Sequence, residues 1–193
     1  MRKFSYRTRN LIGRFVCDRR ANAAIEFAFI VPLMLTMFFG LVEFSSAIAS
    51  SRKVTLAARN LSDLVSQSST VTDLDITNFN ETGKAIMTPY WTTDYVTRVS
   101  ELYIDPATMI GKVKWSKGTG MPNLAVDSTV GIPAALKIAG SYLIYSEVNY
   151  KYVPAVGYVM AKTGVPLSDT TYTRPRQSTC VLYPQNNPLM TGC

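Results

Sequence analysis

Arg19-Arg20-Ala21-Asn22-Ala23-Ala24-Ile25-Glu26-Phe27 opens a run without charge that lasts to Val42. From Phe27 to Val42 the residues are Phe, Ala, Ile, Val, Leu, Met, Thr, Gly and a single proline, Pro32. As a helix the run is ~24 Å long at about 1.5 Å per residue, against a hydrocarbon core ~30 Å thick. Ala23 to Ile25 and Phe44 to Ala49 supply the missing length if Glu26 and Glu43 sit near the two edges. The stretch therefore reads as one membrane-spanning helix.

Downstream, the helical pattern does not stop at the apolar boundary. Val54, Ala57, Ala58, Leu61, Leu64 and Val65 recur at three- and four-residue steps, with Arg52, Lys53, Arg59, Asn60 and Asp63 between them. One helix from about Asn22 to Gln67 accounts for both halves, membrane first and amphipathic extension second, and would be roughly 67 Å long. Pro32 removes a backbone donor and should bend it, which a membrane helix accommodates. A cleaved signal peptide competes with this reading, because Ala47-Ile48-Ala49 offers an A-x-A site. Glu26, the long leader and the helical period running through the supposed cut all favour the uncleaved helix.

Upstream lies a basic tail. Residues 1–20 carry seven Lys and Arg against Asp18, while the rest of the chain carries 13 basic and 12 acidic residues. The net charge of +7 thus belongs to the tail, not to a folded surface, which argues against nucleic acid as a partner. Basic residues beside a membrane helix are retained in the cytoplasm, so the N-terminus should stay inside and residues after 50 should be exported. The chain has no histidine and three cysteines. Ser-His-Asp and Cys-His chemistry are excluded, and the commonest transition-metal ligand is missing.

Beyond the long helix, Ser66-Gln67-Ser68-Ser69-Thr70 reads as a break, and Asp73 to Thr88 as a second helix with Thr72 or Asp73 as cap and Pro89 past its end. Its apolar set is Ile76, Phe79, Ile86 and Met87. The period then changes to two. Val96 to Asp105 and Gly111 to Lys117 read as a hairpin, the latter with Val113 and Trp115 on one face. Tyr142 to Val153 places Tyr142, Ile144, Val148, Tyr150 and Tyr152 on one face and Glu147, Asn149 and Lys151 on a solvated one. Leu167 to Arg174 reads as a fourth strand, and residues 117–141 as mostly loop. The fold class is α+β: a long N-terminal membrane-spanning helix with an amphipathic extension, then a small antiparallel β-sheet packed on helix. The expected organisation is a leader over 1–21, the helix over 22–67 and a periplasmic domain over 68–193.

Two parts of the sequence resemble a known family. Ala23-Ala24-Ile25-Glu26-Phe27-Ala28-Phe29-Ile30-Val31-Pro32-Leu33, with the basic tail before it and Phe39-Gly40-Leu41-Val42-Glu43-Phe44 after it, resembles type IV pilin-like precursors. More closely it is similar to the TadE/TadG-like proteins of tight-adherence (Tad/Flp) pilus systems. Ser146 to Pro154 and Thr173-Arg174-Pro175-Arg176 look like the family's later motifs. The resemblance implies a Tad pilus assembly protein or minor pilin-like subunit (a pseudopilin), anchored in the bacterial inner membrane by a single pass. Its C-terminal domain would be periplasmic or carried in an extracellular pilus.

The same resemblance implies that a prepilin peptidase cuts between Ala21 and Asn22, placing Glu26 at mature position five ahead of Phe27. Ala21 stands where the family usually has glycine. The implied partners are the membrane, other pilin-like subunits, the Tad secretion platform and the peptidase. Glu26 is then expected to pair with a neighbouring subunit's freed α-amino group, the alternative being that it snorkels to the lipid boundary. For Glu43 water or a lipid headgroup suffices.

The competing function is a membrane-anchored or secreted periplasmic binding module with no pilus role. No catalytic, cofactor-binding or metal residue is expected: G-x-S-x-G, P-loop and G-x-G-x-x-G motifs are absent, and Asp73 and Asp75 read as helix-start acids. The tyrosines of the 142–152 strand read as packing, with a contact surface as the alternative. Cys180 and Cys193 lie on the exported side, where disulfides persist, and are expected to pair; the alternative is two free thiols at a loose end.

Overall fold

A computed structural model describes residues 19–90, 92–154 and 164–183, with the side chains of 19–22 left aside. Its packing divides the chain into two units, the first ending at Ser45 and the second beginning at Ser46. Helix α1, Arg19–Ser66, belongs to both. It remains one helix through Pro32, where the Thr36 hydroxyl donates to the Pro32 carbonyl at 2.7 Å.

In the second unit α1 buries Val54, Ala57, Ala58, Leu61 and Val65, the stripe expected from the three- and four-residue steps, with Leu64 half-buried. Small residues on this stripe let the sheet approach closely. The Ser146 hydroxyl donates to the Ala58 carbonyl at 2.7 Å and the Ser62 hydroxyl to Thr173 at 2.8 Å.

Helix α2, Asp73–Met87, starts at Thr72 with a reciprocal cap. The Thr72 amide donates to the Asp75 carboxylate at 2.9 Å, and the Asp75 amide to the Thr72 hydroxyl at 3.3 Å. Its far end is held by Lys53 of α1, whose ammonium donates to the carbonyls of Ile86 and Thr88 at 2.8 and 2.7 Å. Ile76, Asn80, Gly83 and Met87 form its buried face, with Phe79 and Ile86 packed at the margin.

The sheet has five antiparallel strands in the order β3-β2-β1-β4-β5. They are β1 Tyr95–Ile104, β2 Gly111–Thr119, β3 Thr129–Val130, β4 Tyr142–Tyr152 and β5 Val165–Thr173. Four match the strands read from the sequence. The fifth, β3, is two residues long and comes from the stretch read as loop, which also holds a 3-10 turn at Ala134–Leu136.

Two readings of side-chain direction are corrected. The first concerns Val113 and Trp115, which were expected on one face. Trp115 pairs with Glu101 and Val113 with the very next residue, Leu102, so β2 carries an extra residue, Lys114. The bulge reverses the alternation. Trp115 faces the helices, together with Val99, Ile144 and Val148, whereas Val113 faces away, together with Leu102, Ile104, Leu143 and Tyr145.

The second concerns the face of β4 read as solvated. Its Glu147–Lys151 half is polar, but Leu143 and Tyr145 are buried in a second small core. Ile132 completes that core, and Leu124, Val130 and Leu136 of the 121–140 connection close over it. At the entrance to this connection a Cβ on Gly118 would lie 2.0 Å from the Met121 carbonyl oxygen, so the turn back over the sheet requires glycine there.

The final described stretch is packed: Cys180 is buried, and Val181 and Tyr183 belong to the helix-side core. The Arg176 amide donates to the Ser66 carbonyl at 2.8 Å, closing the end of α1.

Candidate functional site

The first candidate is the motif at the head of α1. Ala21 and Asn22 have no described side chains, while Glu26 and Phe27 stand exposed on the helix. In the first unit the apolar side chains from Phe27 to Leu41 face outward; Phe27 and Leu41 are each 68% exposed. Such a surface far exceeds what a folded chain leaves to water. Among the described residues this is the one helix long and apolar enough to cross a membrane. Within it Glu26 is matched by no described group of the chain.

The tyrosines of β4 are packed rather than displayed. Tyr145, Tyr150 and Tyr152 are buried, and rings meet in pairs: Tyr145 with Tyr172 at 5.1 Å, Tyr142 with Tyr103 at 5.0 Å and Tyr152 with Tyr90 at 6.0 Å. Burial pushes the Tyr145 hydroxyl up to about 12, so it stays a neutral donor to Glu147 at 3.3 Å. Glu147 is neutralised by Arg98 at 2.5 Å, which also donates to the Pro122 carbonyl at 3.0 Å. An open groove of about 630 Å³ runs beside this pair, lined by Thr93, Asp94, Val96, Asn149, Lys151 and Ser168 among others. Its one deep carboxylate, Glu147, is thus already satisfied by the fold.

Asp73 and Asp75 serve the helix start, as read. Asp75 makes the cap, and Thr72 holds its carboxyl below the usual range. Asp73 is held low by Lys117 at 2.8 Å and by the Tyr183 hydroxyl. No group of three potential metal ligands occurs among the described residues.

Sequence reasoning missed the most unusual polar residue in the molecule. Glu101, on central strand β1, is 1% exposed on the helix-side face. Its carboxylate accepts the Val181 amide at 2.6 Å, and the Trp115 indole donates to the Val181 carbonyl at 2.7 Å. Burial pushes Glu101 up to about 7, against the opposing pull of the Val181 amide, the Trp115 indole and the Lys114 charge. Trp115 stacks on Tyr183 with centroids 5.2 Å apart. The signal was present: Glu101 shares the parity of Tyr95 and Val99 in an alternating strand, which places it inward.

Cys180 is 3% exposed and disulfide-bonded. Cys17 and Cys193 lie outside the described residues, and so does the leader before Arg19.

Comparison with known proteins adds one positive finding. No curated protein and no solved structure matches the chain. A family model, described as TadE-like protein, matches residues 22–61. This is the family that the Ala-Ile-Glu-Phe motif resembles, and its match covers the motif, the apolar helix and the start of the buried stripe: over residues 22–61 the chain is similar to the TadE-like family.

Proposed function

We propose that the chain is a single-pass membrane protein of a Tad-type pilus system, an assembly protein or minor pilin-like subunit rather than an enzyme. The observation that carries the reading is a coincidence of two features. The TadE-like match takes in the exposed apolar side chains that follow Phe27 and the carboxylate of Glu26 just before them. A membrane anchor alone needs the apolar surface but not the Glu26-Phe27 motif. A helix that must also pack among neighbouring pilin-like helices has a use for both.

In this reading the basic leader stays in the cytoplasm and a prepilin peptidase cuts between Ala21 and Asn22. The new amine of one subunit meets Glu26 of another, and the folded unit stands in the periplasm or on the fibre. Partners are other pilin-like subunits and the secretion platform.

The test is the N-terminus of the mature protein by mass spectrometry, coupled to crosslinking through α1. A start at Asn22, with crosslinks to pilin-like or platform components, is expected. Glu26→Gln should insert normally, because insertion depends on the apolar run, yet recover those partners less well. A mature start at Ser50 would falsify the anchored subunit and leave a secreted binding module. An intact Met1 would remove the peptidase while keeping the anchor.

A further inference from the structure

The last described stretch, 180–183, lies as a strap across the sheet. Its hydrogen bonds are few and specific. The Val181 amide reaches Glu101, the Val181 carbonyl receives the Trp115 indole, and the Leu182 amide donates to the Ser69 carbonyl at 3.0 Å. In return the Val71 amide donates to the Leu182 carbonyl at 2.9 Å, and the Tyr183 hydroxyl donates to Asp73. Beneath it Glu101 is sealed on a strand paired on both sides, with Trp115 and Ile144 as its cross-strand neighbours.

We propose that residues 180–183 form a proton-controlled strap, docked most tightly when Glu101 is protonated and lifted more readily when Glu101 is ionised. The argument is one of solvation. A buried carboxylate gains by reaching water. Water can reach Glu101 in two ways, by breaking ladders of β1 with β2 and β4 or by lifting the strap. The first disrupts the centre of the sheet, while the second breaks the bonds just named and uncovers Val181 and the Tyr183 ring, with the disulfide at Cys180 left as the hinge end.

The charged and titratable groups around Glu101 do not remove this preference. From β2 come Lys114, which lies 5.2 Å above the Tyr103 ring, and Lys117, which is paired with Asp73 of α2. From β4 comes Tyr142, and from the strap Tyr183, whose hydroxyl burial and Asp73 push up. Lys114 is the cation that favours the ionised form in place, and burial outweighs it. Linkage then fixes the direction. Opening of the strap rises with pH between the carboxyl's ordinary value, 4.5, and its docked value, about 7, and levels off above.

Amide hydrogen exchange on the full chain in detergent micelles, corrected for intrinsic rates, tests this. Val181 and Leu182 should exchange faster than Val99 and Leu143 of the sheet at every pH, because the strap opens without the sheet. Their protection should fall roughly 50- to 100-fold between pH 5 and pH 8, with most of the fall below pH 7. Glu101→Gln keeps the acceptor and removes the charge, so its strap protection should be flat across that range. Trp115→Phe removes one strap bond and one of the pulls that lower Glu101, so it should lower protection at every pH with a slope no shallower than the wild type's. Strap amides exchanging in step with the sheet, or a wild-type profile without slope, overturn the proposal. So does a Glu101→Gln profile as steep as the wild type's.

Discussion

A carboxyl that titrates near 7 in the folded chain and near 4.5 in the unfolded one binds its proton more tightly when folded. Between those values the folded state holds more protons than the unfolded state, so stability falls as pH rises. At 1.36 kcal/mol per unit the Glu101 contribution amounts to about 3 kcal/mol across the window. Asp73, Asp75 and Asp105 act in the opposite sense. Their lowered values give a contribution present above the ordinary carboxylate value and lost as pH falls below it toward the lowered ones, outside the interval in which Glu101 titrates. Glu101 therefore sets the slope from weak acid to neutrality. Denaturant unfolding of the full chain at pH 5 and pH 8 should show the wild type losing about 2–3 kcal/mol relative to Glu101→Gln over that interval. Parallel behaviour of the two proteins would remove Glu101 as the source. At this scale the sequence told part of the story. A Glu at an inward strand position is visible as an anomaly, but its partner lies 80 residues away in a segment without periodicity.

Among the elements, α2 shows how packing overrides propensity. Gly83 sits mid-helix, where alanine would gain about 1 kcal/mol. A Cβ there would stand 2.1 Å from the Tyr95 hydroxyl and 3.1 Å from its ring, and Tyr95 is only 4% exposed, so it has little room to withdraw. Overpacking of this kind costs about 1–3 kcal/mol, so Gly83→Ala should be destabilising by about 1 kcal/mol net. Gly83→Ala paired with Tyr95→Phe should recover part of that loss. A thermal melt in which Gly83→Ala gains stability would contradict the packing. The strands teach a related lesson. Period two found β1, β2, β4 and β5 to within a few residues because each alternates. It misplaced Val113 because the alternation of Gly111 to Lys117 is unbroken in sequence while the ladder is not. A bulge changes which residues oppose one another, and the residues themselves keep their pattern. The buried half of β4's second face was likewise hidden, since Leu143 and Tyr145 are covered by a connection that has no periodicity to read.

For the molecule as a whole, the apolar helix and the α+β unit were legible because each depends on local pattern: an uncharged run, a helical stripe, alternating strands. The strap was not, because Val181-Leu182-Tyr183 is too short to carry a period and its role rests on distant partners. Cys180 at its start is the point where covalent and hydrogen-bonded fastening meet. We expect Cys180 to pair with Cys193, and thiol labelling of the denatured, unreduced protein should then mark Cys17 alone, or nothing if the leader has been removed. Labelling at Cys193 without reductant would leave Cys180 with a different partner. The closure of α1 by Arg176 bears on how the molecule is made. A polypeptide delivered head first, off the ribosome or through a translocation pore, emerges with its central strand unroofed and its first helix unterminated. Both are completed by contacts made 80 to 110 residues later: Val181 on Glu101 and Arg176 on Ser66. Until that stretch arrives, Trp115 is uncovered and the end of α1 unclosed before whatever chaperone or protease attends the exit, so residues made late decide whether parts made early survive.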